Sequence, residues 1–126
     1  MMENIKVLIV ESDKNILMIF SEAIKKKGCN IFVARRGNQV WKILRDNEDK
    51  IKLIVIGQAG RKDIGILVRK IHNSGFTGKI IVSVIDTTLH ESILKAGATY
   101  VVQLKNEALE MAEKVISELK SSELSA

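Results

Sequence analysis

Proline is absent from this chain, and cysteine occurs once, as Cys29. One cysteine excludes an internal disulfide and a cysteine-based metal cluster, and it agrees with a reducing compartment. Long apolar runs are also missing: each run is only a few residues long, far below the roughly 18 residues of a membrane-spanning helix. The amino-terminal MMENIK lacks the pattern of a signal peptide. We therefore expect a cytoplasmic protein that does not associate with membranes.

The composition predicts one soluble globular domain. Hydrophobic residues make up 46% of the 126-residue chain and charged residues 28%, which is ordinary for such a domain. The net charge of +5 raises the possibility of a nucleic-acid partner. The basic clusters, however, are dispersed among acids with no aromatic interleaving and no recognition motif, so we favour a solvated basic surface.

Five short apolar runs alternate with stretches of helical periodicity, which is typical of a parallel sheet covered on both faces. We expect a doubly wound α/β domain over residues 1–120 and a frayed tail over residues 121–126. The predicted strands are Ile5–Val10, Ile31–Ala34, Leu53–Ile56, Ile80–Ile85 and Tyr100–Leu104.

The helical stretches have apolar stripes and recognisable caps. Asp13 and Asp86 are expected to cap helices, because each immediately precedes a periodic segment. In the fourth helix we expect His90 to lie on a charged face. Met18 and Ile19 lie beside the inner stripe of the first helix. They could form part of an exposed apolar patch, and a broad buried helix face would explain them equally well. The fourth helix would carry Leu89, Ile93 and Leu94.

The functional crevice of a doubly wound sheet lies beyond the carboxyl ends of its strands. There the chain resembles the receiver domain of response regulators, from Lys6 to about Leu119. The similarity rests on VLIVESD at Val7–Asp13, ARRG at Ala34–Gly37, LIVIG at Leu53–Gly57 with Gly65 eight residues on, and AGA at Ala96–Ala98. It implies strand order 2-1-3-4-5, a flavodoxin-like fold and a role in bacterial-type two-component signalling or phosphorelay.

The resemblance also implies a phosphoryl-transfer site, and this chain departs from it. The family's acceptor aspartate ends the third strand, where this chain has Gly57. Glycine has no side chain, so this position cannot form an acyl phosphate. Glu11 fits the first acidic position, but Ser12 stands where the second acid is usual and Asp13 is one residue further on. Because Mg²⁺ needs several oxygen ligands in tight geometry, we expect no bound Mg²⁺ and interpret Glu11 as a hydrated remnant.

The remaining family positions are altered too. Ser83 is near the switch hydroxyl position, although a gapless count gives Val84. The family's Lys-Pro pair is missing: Leu104 and Lys105 occupy its region, and we do not expect Lys105 to take the lysine's role. Tyr100 is near the family's aromatic switch position, where an ordinary half-buried tyrosine explains it equally well.

The sequence thus predicts a degenerate receiver, or pseudo-receiver, without enzymatic activity, that acts by protein–protein interaction. The resemblance points to the face of helix 4, strand 5 and helix 5 for partners, including a homodimer. Two alternatives stay open. One is a phosphorylatable response regulator that uses a displaced acid, Asp63 or Asp86; the other is a basic module associated with nucleic acid. The glycine-containing loop from Gly57 to Gly60 lacks a phosphate-loop ending.

Overall fold

A computed structural model describes residues 4–47, 50–57 and 64–125, with side chains up to residue 122. Strands and helices alternate along the chain from β1 to α5. Two short 3₁₀ helices, Gly37–Gln39 and Thr87–Leu89, precede the second and fourth α-helices. The elements are β1 (Lys6–Val10), α1 (Lys14–Lys25), β2 (Asn30–Ala34), α2 (Val40–Asn47), β3 (Ile51–Ile56), α3 (Ile64–Asn73), β4 (Lys79–Ser83), α4 (His90–Ala96), β5 (Tyr100–Val102) and α5 (Lys105–Ser125).

The five strands form one parallel sheet in the order β2-β1-β3-β4-β5. Side chains alternate between its faces, since successive residues of a strand point to opposite sides. Leu8 and Val10 pack in a core with α2, α3 and α4, whereas Val7 and Ile9 pack in a second core with α1 and α5. The predicted doubly wound fold and strand order are therefore confirmed, and near-continuous apolar strands are its direct consequence.

Several predicted boundaries shift. Strand β4 ends at Ser83 and β5 at Val102, two residues before the predicted end of each. Helix α5 continues to Ser125, past the predicted boundary at residue 120, because no glycine or proline interrupts the segment. Ile93 and Ala96 of α4 are buried, whereas Leu94 is 46% exposed and Leu89, just before the helix, is 43% exposed. The two leucines lie on the surface, because a helix of seven residues presents a narrow face to the sheet.

Helix α1 begins at a well-formed cap and has an apolar outer side. The Asp13 carboxylate accepts hydrogen bonds from the backbone N–H groups of Asn15 (2.8 Å) and Ile16 (3.1 Å), which confirms the predicted cap. Met18 and Ile19 are each 59% exposed, so they form part of the surface rather than of a broad buried face.

No helix in the described ranges is both long and apolar enough to span a bilayer.

Candidate functional site

The two central strands bring Glu11 and Gly57 together at the carboxyl edge of the sheet. Glu11 directly follows β1 and Gly57 directly follows β3. The Glu11 N–H donates to the Ala34 carbonyl (2.9 Å), and the Gly57 N–H donates to the Val10 carbonyl (2.8 Å). Parallel pairing thus continues one residue past each strand, and it fixes both residues side by side in the crevice that the fold predicts.

The Glu11 carboxylate is buried and fully engaged. The side chain is only 3% exposed, although β1 has already ended. One carboxylate oxygen accepts a hydrogen bond from the Asp13 N–H at 3.0 Å, and the other is ion-paired with the ammonium group of Lys105. The interpretation of Glu11 as a hydrated remnant was wrong, because the lysine replaces the water that a lone carboxylate would need.

Glu11 also fills the space that a side chain at position 57 would need. A Cβ atom built on Gly57 would overlap Glu11 Oε1, lie 2.9 Å from Glu11 Cδ and lie 3.1 Å from Lys105 Nζ. The glycine does more than remove an acceptor, since it makes room for the carboxylate of Glu11. A carboxylate therefore lies close to the position where the family has its acceptor, but it comes from the residue after β1 and is already paired with a lysine.

Lys105 reaches this site because β5 is short. The strand ends at Val102, Gln103 and Leu104 are exposed, and Lys105 becomes the first residue of α5 with its side chain 26% exposed. Lys105 thus lies in the crevice as the ion-pair partner of Glu11, while our expectation that it does not meet phosphoryl oxygens stays a prediction. A signal was present in the sequence: a lysine in the first turn of a helix opposes the helix dipole, which favours acids there. A nearby carboxylate offsets this unfavourable interaction, and here that carboxylate is Glu11.

The described residues do not fit a magnesium ion. Among them, no group of three His, Cys, Asp or Glu side chains is placed to hold a metal. Glu11 is bound to Lys105, Asp13 caps α1, and Ser12 is exposed with its backbone carbonyl accepting from the Arg35 guanidinium (2.9 Å). A cation would have to compete with the ammonium group of Lys105 for the buried carboxylate of Glu11.

The other predicted positions lie at the end of β4, at the start of β5 and in the loop before α5. Ser83 is buried (2% exposed) at the end of β4, and Val84, which follows it, is also buried. Tyr100, at the start of β5, is half-buried and packs on the α1 and α5 side of the sheet. Leu104 is 50% exposed in the loop before α5. Of the predicted site residues, the fold thus brings Glu11, Gly57 and Lys105 into contact and leaves Leu104 on the surface.

The segment after β4 is held by two polar contacts. His90 lies 2.7 Å from the Val84 carbonyl through Nε2, so its ring contacts the β4 end rather than a charged helix face as expected. Asp86 accepts hydrogen bonds from the Thr88 hydroxyl (2.6 Å) and the Thr88 N–H (3.0 Å), which confirms the predicted cap. These two bonds, together with the nearby His90, hold the pKa of Asp86 below its usual value. The loop residues 58–60 and Asp63 lie outside the described residues.

No family model matches the chain, and no curated protein matches it. Solved structures do match. A response regulator from Thermotoga maritima is 23% identical with a TM-score of 0.75, covering 91% of this chain and 99% of that chain. A CheY-like receiver domain protein from Methanospirillum hungatei is 17% identical with a TM-score of 0.75, covering 95% and 99%. A cyanobacterial phytochrome response regulator in its phosphorylated form is 13% identical with a TM-score of 0.70, covering 90% and 91%.

The matched structures and the sheet order define the class of fold. The chain is a doubly wound α/β protein whose crevice lies at the carboxyl edge of β1 and β3. More narrowly, its fold is that of the response-regulator receiver domains, which it matches over nearly its whole length. At these identities the similarity establishes the fold; the acceptor site must be judged from this chain's own residues.

Proposed function

We propose that this protein is a signalling module with a receiver fold that takes up no phosphoryl group and acts by binding other proteins. One observation carries the proposal: the Glu11 carboxylate occupies the side-chain space of Gly57 and is paired with Lys105. An acceptor must be a free carboxylate that can attack, and its phosphoryl group must be neutralised from several sides. Here the carboxylate in the crevice is buried, and the lysine that would meet phosphoryl oxygens is already used.

The test is phosphorylation with a small-molecule donor. The protein is incubated with acetyl phosphate and Mg²⁺ beside a phosphorylatable receiver, and intact mass is recorded. We expect no added phosphoryl group on this chain and a stoichiometric addition on the control. Beryllofluoride with Mg²⁺ should likewise leave the fluorescence of Trp41, the chain's one tryptophan, unchanged. A labile adduct on an aspartate would contradict the proposal; Asp63→Asn and Asp86→Asn would then identify the displaced acid.

The surface proposed for partners lies around α4, β5 and α5. Exposed apolar side chains occur in this part of the chain: Leu89 (43% exposed), Leu94 (46%) and Leu104 (50%). Ile85, in the loop after β4, is 62% exposed. Large exposed apolar side chains that adjoin one another are typical of interaction surfaces. We include a second copy of the chain among the proposed partners.

Self-association through this face is tested by sedimentation over a concentration series. Leu94→Lys and Leu104→Lys should shift the protein toward monomer, because each places a charge in an apolar contact. Ile66→Lys is the matched control, since Ile66 is equally apolar and 57% exposed but lies on α3. A protein that is monomeric at every concentration, or that loses self-association equally with Ile66→Lys, would rule out the homodimer through this face.

A further inference from the structure

An open groove lies at the amino-terminal edge of the sheet, opposite the Glu11–Lys105 pair. Its apolar walls are Trp41 and Leu44 of α2, Ile51 at the start of β3, and Phe76 in the turn before β4, with Arg45 at its rim. The cavity has a volume of about 350 Å³, which is at the lower end of the range for ligand sites. Trp41 and Phe76 are both half-buried, so part of each ring is open to solvent.

Exposed cations lie on the chain segments that line or adjoin this groove. Lys50 directly precedes Ile51, and its N–H donates to the Asn47 carbonyl at the end of α2 (3.0 Å). The Lys52 carbonyl and the Phe76 ring both lie within 3 Å of where a Cβ on Gly78 would stand, which puts Lys52 beside the turn. The Lys70 carbonyl accepts from the N–H of Ser74, a rim residue (3.0 Å).

None of these cations is in an ion pair with the described residues. Arg45, Lys50, Lys52 and Lys70 are all exposed, as is Lys79 at the start of β4, and the salt bridges of the described ranges involve other lysines. Glu48 and Asp49 lie outside the described residues. Five exposed cations that form no ion pair within the described residues thus lie on the elements next to a small aromatic groove, and such a surface favours an anionic partner with flat apolar groups.

Cations that are dispersed along the chain lie at one edge of the sheet in the folded protein. In an α/β unit the carboxyl end of each helix and the amino end of each strand lie at the same edge of the sheet. Arg45 and Lys70 end helices, where the dipole favours cations, and Lys52 and Lys79 begin strands. Along the chain these residues are separated by acids and apolar runs, and the aromatic residues between them become neighbours only in the folded protein.

We propose that this edge binds single-stranded nucleic acid, with one base stacked against Trp41 and Phe76 and the flanking phosphates on the five cations. Stacking platforms combined with a positively charged surface are how proteins hold single strands. An acidic polypeptide would use the charge but has no need for the aromatic walls. A duplex keeps its bases stacked inside and offers none to a concave groove of this size. The inference goes beyond the proposed function and concerns the opposite edge of the sheet.

The test titrates the full chain with an oligothymidylate of about 12 nucleotides and follows Trp41 fluorescence, which reports on the groove directly. We expect quenching at low salt. Single-strand binding weakens with salt by a slope of about −0.7 per phosphate contact. Contacts to about four phosphates therefore predict a slope near −2.8 in log K against log salt concentration.

Variants locate the site. Arg45→Gln/Lys50→Gln should weaken binding by about tenfold or more and reduce the salt slope, because two phosphate contacts are lost. Lys14→Gln/Lys114→Gln removes the same charge at exposed positions away from the groove and should change binding by no more than about twofold. Phe76→Leu should weaken binding by about fivefold or more while leaving the salt slope unchanged, because it removes stacking rather than charge. Circular dichroism verifies that each variant is folded.

Three results would overturn the proposal. The first is no quenching and no binding of labelled oligonucleotide at low salt. The second is equal weakening by Arg45→Gln/Lys50→Gln and by the control pair, which would make the binding a matter of net charge. The third is binding of polyglutamate, of duplex of the same length or of thymidine monophosphate as tightly as the single strand, since each would assign the edge to a different partner.

Discussion

The packing of Glu11 against Gly57 predicts that these two positions are energetically coupled. Gly57→Ala adds one methyl group, and that Cβ would overlap Glu11 Oε1 and lie 2.9 Å from Glu11 Cδ. Gly57 does not have a positive φ, so alanine is compatible with the backbone and the cost comes from the overlap alone. Overpacking of a buried site costs about 1–3 kcal/mol, and we expect Gly57→Ala to lower the free energy of unfolding by that amount.

Removing the obstructing carboxylate should remove most of this cost. In the Glu11→Ala background the new methyl group meets neither carboxylate oxygen nor Cδ, so Gly57→Ala should cost less than about 0.5 kcal/mol there. The coupling free energy between the two positions is then about 1–3 kcal/mol, well outside the deviation expected for independent sites. Urea unfolding followed by circular dichroism and by Trp41 fluorescence on all four proteins measures it.

Gly65 supplies the matched control. A Cβ on this glycine would have nothing within 4 Å, and it lies in α3, so Gly65→Ala makes the same chemical change without an overlap. We expect no loss of stability there, and a gain of up to about 1 kcal/mol from helix propensity. If Gly57→Ala costs the same with and without Glu11, or no more than Gly65→Ala, the carboxylate does not occupy the acceptor space and the reasoning behind the proposed function fails.

Three further outcomes follow from single contacts. Gly97→Ala should destabilise the protein by about 1–3 kcal/mol, because Gly97 has φ of 128° and a Cβ there would lie 2.7 Å from the His72 side chain. Urea unfolding measures this loss, and an unchanged unfolding midpoint would contradict the prediction. Cys29 is 6% exposed and burial raises its pKa, so native protein should react with a thiol reagent far more slowly than urea-unfolded protein, and equal rates would contradict the burial. Asp86→Ala should destabilise the fold more at pH 7 than at pH 3. The pKa of Asp86 is lowered in the folded state, so its contribution is present above the ordinary aspartate pKa and is lost as the pH falls through the lowered one.

Much of the fold was encoded locally. Runs such as Val7–Val10 are apolar at every position because both faces of the strand are covered, and that pattern alone distinguishes a buried parallel strand from a half-exposed one. The caps at Asp13 and Asp86 were also readable, since each capping bond joins residues two or three apart. Strand ends were less well predicted: nothing in the apolar run that contains Val84 and Ile85 marks the residue at which pairing with β5 stops.

The site is where sequence alone was insufficient. It revealed that position 57 has no carboxylate, because that is a fact about one residue. It did not reveal that Glu11 fills the gap or that Lys105, 94 residues along the chain, neutralises it. Both depend on where β5 ends and on which side chains the parallel sheet places side by side.

The same distinction applies to the surface. Composition fixed the excess of positive charge, but the grouping of five cations around Trp41 and Phe76 arises because the fold brings helix ends and strand starts to one edge. Local sequence sets which elements form and which of their faces are apolar. Contacts between residues far apart in the chain are set by packing, since only the assembled sheet determines which loops are neighbours.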